Sequence, residues 1–232
     1  TIRNVPKDIY KYPEIFQDDC FLVDDLGKEN IDRTTLYKER GSRKKFIEGI
    51  SKTSNSKEDW LKSLNIKIFF ERVNHLSNSK KRVIQLFNRT NQFNLRSSNY
   101  NLDTFDYALN LKNNFYYQCN VSDRIGSEGI ISVIGIQIKD LEIFVEDFIM
   151  SCRVFGRNIE KIILIPIIKK SIEDNLSIRF NLIDNEKNKA IQEFIKGITD
   201  ENLTIRKKHL IKLEKEYSNL PLQMYGHSDL FK

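Results

Sequence analysis

The sequence has few of the residues on which metal sites, disulfide frameworks and membrane spans depend. It contains three cysteines and three histidines in 232 residues, and both sets are widely spaced. Cys20, Cys119 and Cys152 form neither a disulfide framework nor a zinc set, and an odd number of cysteines fits a reducing cytoplasm. The histidines lack metal-ligand spacing, so we expect no metal and no metal hydrolase.

Long apolar runs are also missing. No hydrophobic stretch approaches the length of a membrane span, and no hydrophobic leader opens the chain. Hydrophobic residues make up 40% and charged residues 30% of the chain, which is typical of a packed globular protein. We therefore predict a cytoplasmic protein without a membrane partner. Because residues 1–6 lack Met, we expect that the chain was cut from a longer protein.

The chain is basic, with a formal net charge of +6 and a pI near 9.0. A basic surface favours acidic partners such as phosphorylated small molecules, an acidic carrier protein or nucleic acid. A solvated lysine-rich surface is the default explanation of such a charge. The basic runs 42–45 and 206–209 contain no interleaved aromatic residues, so we do not expect a nucleic-acid groove.

Hydrophobic periodicity divides the chain into a helical first part, residues 1–63, and an α/β second part, residues 64–232. Short turns between three successive strands predict antiparallel pairing, and a strand–helix–strand unit predicts a parallel pair. The predicted fold class is therefore α/β, with a mixed sheet flanked by helices and a helical N-terminal extension. We expect strands at 66–70, 115–121, 130–138, 143–150, 178–183 and 203–213, helices at 79–87, 102–111, 159–172 and 186–198, and a frayed tail over 217–232.

The most informative stretch is the junction segment, residues 151–158 (Ser-Cys-Arg-Val-Phe-Gly-Arg-Asn), between a predicted strand and a predicted helix. Backbone N–H groups at a helix N-terminus bind anions, and Gly156 leaves room for a phosphate to approach. The segment therefore predicts a site for coenzyme A or a phosphopantetheine arm, with Arg153, Gly156, Arg157 and Asn158 as its ligands. We expect the sheet to splay near 115–121, 130–138 and 143–151, with the ligand arm entering beside 152–158. The alternative is an ordinary strand–helix turn.

Cys152 lies just before that helix. The positive end of the helix favours a thiolate, so Cys152 is a candidate nucleophile or acyl carrier. The alternative is a small buried residue at the end of a core strand, the commonest environment of a cysteine.

Two further groups of polar residues are candidates for substrate contacts. Side-chain amides donate and accept hydrogen bonds, so an Asn-rich segment can bind a hydroxyacyl group, or can simply cap its own helix. Asp123 is a candidate base toward an acceptor, or forms a structural ion pair with Arg124. The amide candidates are Asn88, Asn91, Gln92 and Asn94.

Three segments of this sequence resemble sequence patterns of the FkbH-like family. Residues 82–95 resemble the family pattern R-I-x-Q-L-x-x-K-T-N-Q-F-N-L, and residues 148–160 resemble F-L-M-S-C-R-V-L-G-R-G-V-E. Residues 122–129 are similar to its D-R-F-G-D-N-G turn. Asn188 lies in a segment similar to one found there and in GNAT acyltransferases. Ile195 replaces the tyrosine of the latter pattern.

The resemblance implies a GNAT-like acyltransferase domain that is normally joined to a phosphatase domain of the haloacid dehalogenase class. That phosphatase domain is missing from this chain, since no Asp-x-Asp-x-Thr motif follows an apolar strand. The resemblance further implies transfer of a glyceryl-type unit to the phosphopantetheine thiol of an acyl carrier protein, in polyketide or surface-polysaccharide biosynthesis. Cys152, Asp123 and Asn91 would be catalytic, Asn188 would contact the cofactor, and the other amide candidates and Arg124 would bind substrate.

Two alternatives stay open. One is a coenzyme A-dependent N-acyltransferase acting on an amino sugar or amine, in which Cys152 takes no part. The other is a non-catalytic docking module for a carrier protein or for the missing phosphatase domain.

Overall fold

The structure is a computed structural model that describes residues 57–227. Residues 1–56 of the extension predicted over 1–63 lie outside the described residues. The helices are α1 (Lys57–Leu64), α2 (Lys80–Arg89), α3 (Leu102–Asn110), α4 (Ile159–Glu173), α5 (Lys189–Lys196) and α6 (Lys207–Ser218). The strands are β1 (Lys67–Val73), β2 (Asn114–Asp123), β3 (Gly126–Lys139), β4 (Glu142–Met150), β5 (Ser177–Phe180), β6 (Thr204–Ile205) and β7 (Gln223–Tyr225).

The seven strands form one mixed sheet in the order β6-β5-β4-β3-β2-β1-β7. The β4–β5 and β1–β7 pairs are parallel, and the other pairs are antiparallel. Six helices flank this sheet, so the predicted α/β class is confirmed, and the arrangement is consistent with a GNAT-like fold.

The splay predicted near the three central strands occurs at only one of them, β4, and not at β2 or between β2 and β3. β2 pairs with β3 over 114–123, and β3 pairs with β4 over 142–150, with register shifts but no separation. Short hairpin turns hold consecutive antiparallel strands together. The parallel strand β5 is joined to β4 by a long connection, so no short turn holds these two strands side by side. The separation lies instead between β4 and β5, which pair only over Glu142–Val145 and Ser177–Phe180.

Two predicted elements near the C-terminus also differ. The strand expected over 203–213 is reduced to Thr204–Ile205, and α6 follows it. Leu210, Leu213 and Tyr217 are buried and recur every three to four residues, which is the period of a helix. Within the tail expected to fray, Gln223–Tyr225 forms β7 on the edge of β1.

Each face of the sheet has its own hydrophobic core. The larger core includes α1, α4, α5 and α6, and the smaller core lies beneath α2 and α3. In α1, Trp60, Leu61 and Leu64 are buried in the larger core, as predicted. This helix spans the boundary expected at 63/64 and packs with the residues that follow it.

The helix that follows β4 is central to the fold. α4 contacts β4 and β5 on one side and α6 on the other, and it is buried along Ile162–Ile168. Lys161 Nζ lies 3.1 Å from Glu216 Oε1 across the α4–α6 contact. This packing places the first turn of α4 next to the C-terminal end of β4. No helix within residues 57–227 has the length and apolar character to cross a membrane.

Candidate functional site at the end of β4

The junction segment has the predicted geometry of a strand, a glycine turn and a helix. After β4 ends, Cys152–Val154 form a single 3-10 turn, and α4 begins at Ile159. Gly156 has φ +78° and Asn158 has φ +58°. Glycine and asparagine tolerate this left-handed backbone best, which explains both residue types at these positions.

Cys152 is half-buried and opens the 3-10 turn. It is disulfide-bonded in this structure. This differs from the reduced thiols expected from the cysteine count, and chemistry at this sulfur requires reduction of the bond. Cys119, by contrast, is a free thiol inside the larger core, and burial raises the pKa of that thiol.

Arg157 is occupied by ion pairs inside the protein. Its Nη1 lies 3.3 Å from Glu128 Oε1 and 3.6 Å from Asp123 Oδ2. All three side chains are at most 8% exposed. Arg157 Nη2 also donates to the backbone oxygen of Arg153 at 3.2 Å. Arg157 therefore joins the β2–β3 turn to the junction segment, while Arg153 is half-buried and donates to Ser151 Oγ at 3.1 Å.

Asp123 lies within this network. Its Oδ1 accepts the backbone N–H groups of Ile125 at 2.9 Å and Gly126 at 3.1 Å. The structure thus places the carboxylate against Arg157, whereas Arg124 Nη1 donates to the backbone oxygen of Ser63 at 3.4 Å. These contacts favour a structural role for Asp123 over a role as a catalytic base. Its ion-pair partner is Arg157 and not the predicted Arg124.

Two of the candidate amides, Asn88 and Asn94, form hydrogen bonds to the backbone of nearby residues. Asn88 Nδ2 donates to Tyr100 O at 2.8 Å, and Tyr100 N donates to Asn88 Oδ1 at 3.0 Å. Asn94 is 2% exposed, donates to Thr90 O at 3.0 Å and accepts from Ser98 N at 3.2 Å. Both side chains organise the loop between α2 and α3.

The other two amide candidates have different environments. Asn91 is exposed at the end of α2. Gln92 is partly exposed, and its Oε1 is buried without a donor among the described residues. Asn91 and Asn88 are therefore the exposed candidate amides, and the side chain of Asn88 is bonded to the backbone of Tyr100.

Asn188 is fully buried at the start of α5, and its side chain makes four hydrogen bonds. Its Nδ2 donates to Asn94 O at 3.0 Å and to Ile183 O at 2.9 Å. Its Oδ1 accepts from Asn185 N at 3.0 Å and from Gln192 Nε2 at 2.6 Å. Both Nδ2 and Oδ1 are therefore engaged within the protein, which disfavours the predicted contact between Asn188 and a cofactor.

The gap between β4 and β5, the region of the predicted ligand arm, contains residues 93–95, which we call the inserted segment. Asn94 bridges to Ile149 of β4 in an antiparallel sense. Leu95 N donates to Phe148 O at 3.0 Å, and Met150 N donates to Phe93 O at 3.0 Å. The edge of β4 that β5 leaves uncovered is thus paired with the chain itself.

A further cluster of polar side chains surrounds Asp147 in β4. Asp147 is fully buried and accepts hydrogen bonds from Ser98 Oγ at 2.6 Å, Tyr100 OH at 2.7 Å and Tyr116 OH at 2.8 Å. Burial, followed by the charge of Asp147, raises the pKa of both tyrosines above the ordinary value. The available signal was a carboxylate inside an apolar strand, but its hydroxyl partners lie 31 to 49 residues away.

The described residues include no group of three or more His, Cys, Asp or Glu side chains that could hold a metal ion. No family model and no curated protein matches this chain.

Proposed function

We propose that this chain is an acyltransferase domain of the FkbH-like type. It carries a glyceryl-type, three-carbon hydroxyacyl unit on Cys152 and passes the unit to the phosphopantetheine thiol of an acyl carrier protein. The observation that carries the proposal is the placement of Cys152, half-buried at the C-terminal end of β4 and in the turn before the positive end of α4. The setting would be cytoplasmic biosynthesis of a polyketide or surface polysaccharide.

The reaction is a thioester exchange that starts from reduced Cys152. The sulfur of the carrier arm attacks the carbonyl carbon of the acyl group on Cys152, forming one carbon–sulfur bond. The bond to Cys152 then breaks, and the proton lost by the arm is balanced by a proton gained at Cys152. Reactant and product are both thioesters, so most of the acceleration comes from positioning. The first-turn N–H groups of α4 and its dipole stabilise negative charge on the reacting atoms.

The contacts redistribute the roles of the surrounding residues. Arg157 is held by Asp123 and Glu128, so contact with the phosphate of the arm falls to Arg153 and the glycine turn. Asn91, which is exposed, is the amide that would orient the acyl hydroxyls. Asn94 and Asn188 support the site by holding the inserted segment.

The test is intact-protein mass spectrometry under reducing conditions, after incubation with a carrier protein charged with a glyceryl thioester. We expect an acyl adduct that disappears in Cys152→Ala and persists in Cys119→Ala, the matched control at a buried thiol. An adduct that survives in Cys152→Ala contradicts the proposal. Carrier binding without any adduct indicates the docking module, and coenzyme A-dependent turnover by Cys152→Ala indicates N-acyl transfer.

A further inference from the structure

We infer that coenzyme A and pantetheine arms are excluded from the gap between β4 and β5, because residues 93–95 of the chain serve as an internal strand there. The inference stands apart from the proposed acyl transfer, since it concerns the gap and not Cys152.

The backbone of the inserted segment is bonded along both edges. Toward β4, Leu95 N pairs with Phe148 O, and Phe93 O pairs with Met150 N, each at 3.0 Å. On the opposite edge, Ile183 N donates to Leu95 O at 3.0 Å. An arm with two amides would need these same groups of β4 as partners, and they are already engaged.

The side chains fix the segment in place as part of the core. Phe93 is 3% exposed, and its ring lies 5.2 Å from Phe148, 5.8 Å from Phe155 and 5.8 Å from Phe194 between ring centroids. Leu95 is fully buried in the same core. Displacing the segment would expose both apolar side chains to water.

Asn188, at the start of α5, binds the inserted segment through its side chain. Its Nδ2 donates to the backbone oxygens of Asn94 and Ile183, so one side chain holds the inserted segment against the loop that follows β5. A residue predicted to contact the cofactor thus binds the part of the chain that takes the place of the arm. A thiol substrate must then reach Cys152 from outside the sheet, along the 3-10 turn.

The experiment is hydrogen exchange resolved to single amides on the full chain, with and without millimolar coenzyme A. We expect the Leu95, Met150 and Ile183 amides to exchange about 1,000-fold or more slowly than the exposed Ser97 amide, because they belong to the stable core. Coenzyme A should leave these rates unchanged.

Saturable binding of coenzyme A with unchanged rates at the three amides places the ligand elsewhere and supports the exclusion. Faster exchange of Leu95 or Ile183 on addition of coenzyme A overturns it, as does rapid exchange of these amides in the free protein. Asn188→Ala serves as a positive control, because loss of the two bonds to the inserted segment should raise the exchange rate of Leu95.

Discussion

At the scale of single residues, Asp147 shows most clearly how the tertiary structure brings together polar side chains that are distant in the sequence. Three hydroxyl groups donate to one fully buried carboxyl group, so its oxygens have hydrogen-bond partners inside the protein. The Tyr116 ring reaches Asp147 because it lies against Gly135, where any added Cβ would overlap the ring. The cluster fastens the α2–α3 loop, through Ser98 and Tyr100, to β4.

This cluster predicts weakening of the protein at alkaline pH. The pKa of Tyr116 is raised above its ordinary 10.0 in the folded state, chiefly by burial and then by Asp147. Above pH 10 the unfolded chain loses this proton while the folded chain keeps it, so the free energy of unfolding falls as pH rises. The expected contribution is about 1.4 kcal/mol per pH unit for this tyrosine.

Urea unfolding between about pH 9 and pH 11 measures this dependence. Tyr116→Phe should have a shallower pH dependence than the wild type. Tyr107→Phe, at a tyrosine that is 69% exposed and outside the cluster, is the matched control and should retain the wild-type slope. An unchanged slope in Tyr116→Phe would contradict the assignment.

At the scale of elements, the inserted segment joins parts of the chain that are distant in sequence. It connects the end of α2 to β4, to residue 183 after β5, and to the start of α5. Without it, β4 and β5 would diverge around an open edge. Three residues therefore complete the sheet at the position where the strands separate.

Asn188→Ala tests this link between elements. The change leaves the backbone oxygens of Asn94, which is buried, and Ile183 without their side-chain donor, so we expect a loss of about 2 kcal/mol in the free energy of unfolding. Chemical denaturation checks this value, with Lys187→Ala at the adjacent exposed position as the control. A loss below about 0.5 kcal/mol, the size of an ordinary surface effect, would show that the side chain does not hold the segment.

At the scale of the whole molecule, α1 belongs to the same folding unit as the sheet. Trp60 is 5% exposed and lies in the core that also contains α4, α5 and α6. Its indole Nε1 is buried without a hydrogen-bond acceptor among the described residues. The ring therefore contributes through packing, and the indole N–H contributes no bond.

Trp60→Ala should destabilise the protein by about 3–5 kcal/mol because it leaves a cavity in the larger core. Trp60→Phe should cost much less, since it keeps an aromatic ring and removes the unpaired N–H. Thermal or urea unfolding measures both, with Ile211→Ala at a residue that is 63% exposed as the control. Equal losses for Trp60→Ala and Ile211→Ala would mean that α1 does not belong to this folding unit.

Much of the local structure follows from residue patterns alone. The apolar run before residue 151 predicts β4, the helical period after it predicts α4, and both elements occur within one or two residues of the expected bounds. Gly156 and Asn158, two residue types that tolerate positive φ, occupy the left-handed positions of the turn. The strand expected over 203–213 was wrong because its apolar residues also fit a helical period, and only their burial decides between the two.

The sequence by itself determined the order of helices and strands from α1 to α5 and the strand–turn–helix that carries Cys152, because these depend on contacts between near neighbours in the chain. The tertiary structure alone decided which polar groups meet: Arg157 with Asp123 and Glu128, Tyr116 with Asp147, and Asn188 with Asn94. The same packing placed residues 93–95 between β4 and β5. The physical reason is that a buried polar group must find a partner wherever the packed core brings one, and the positions of those partners depend on the whole fold.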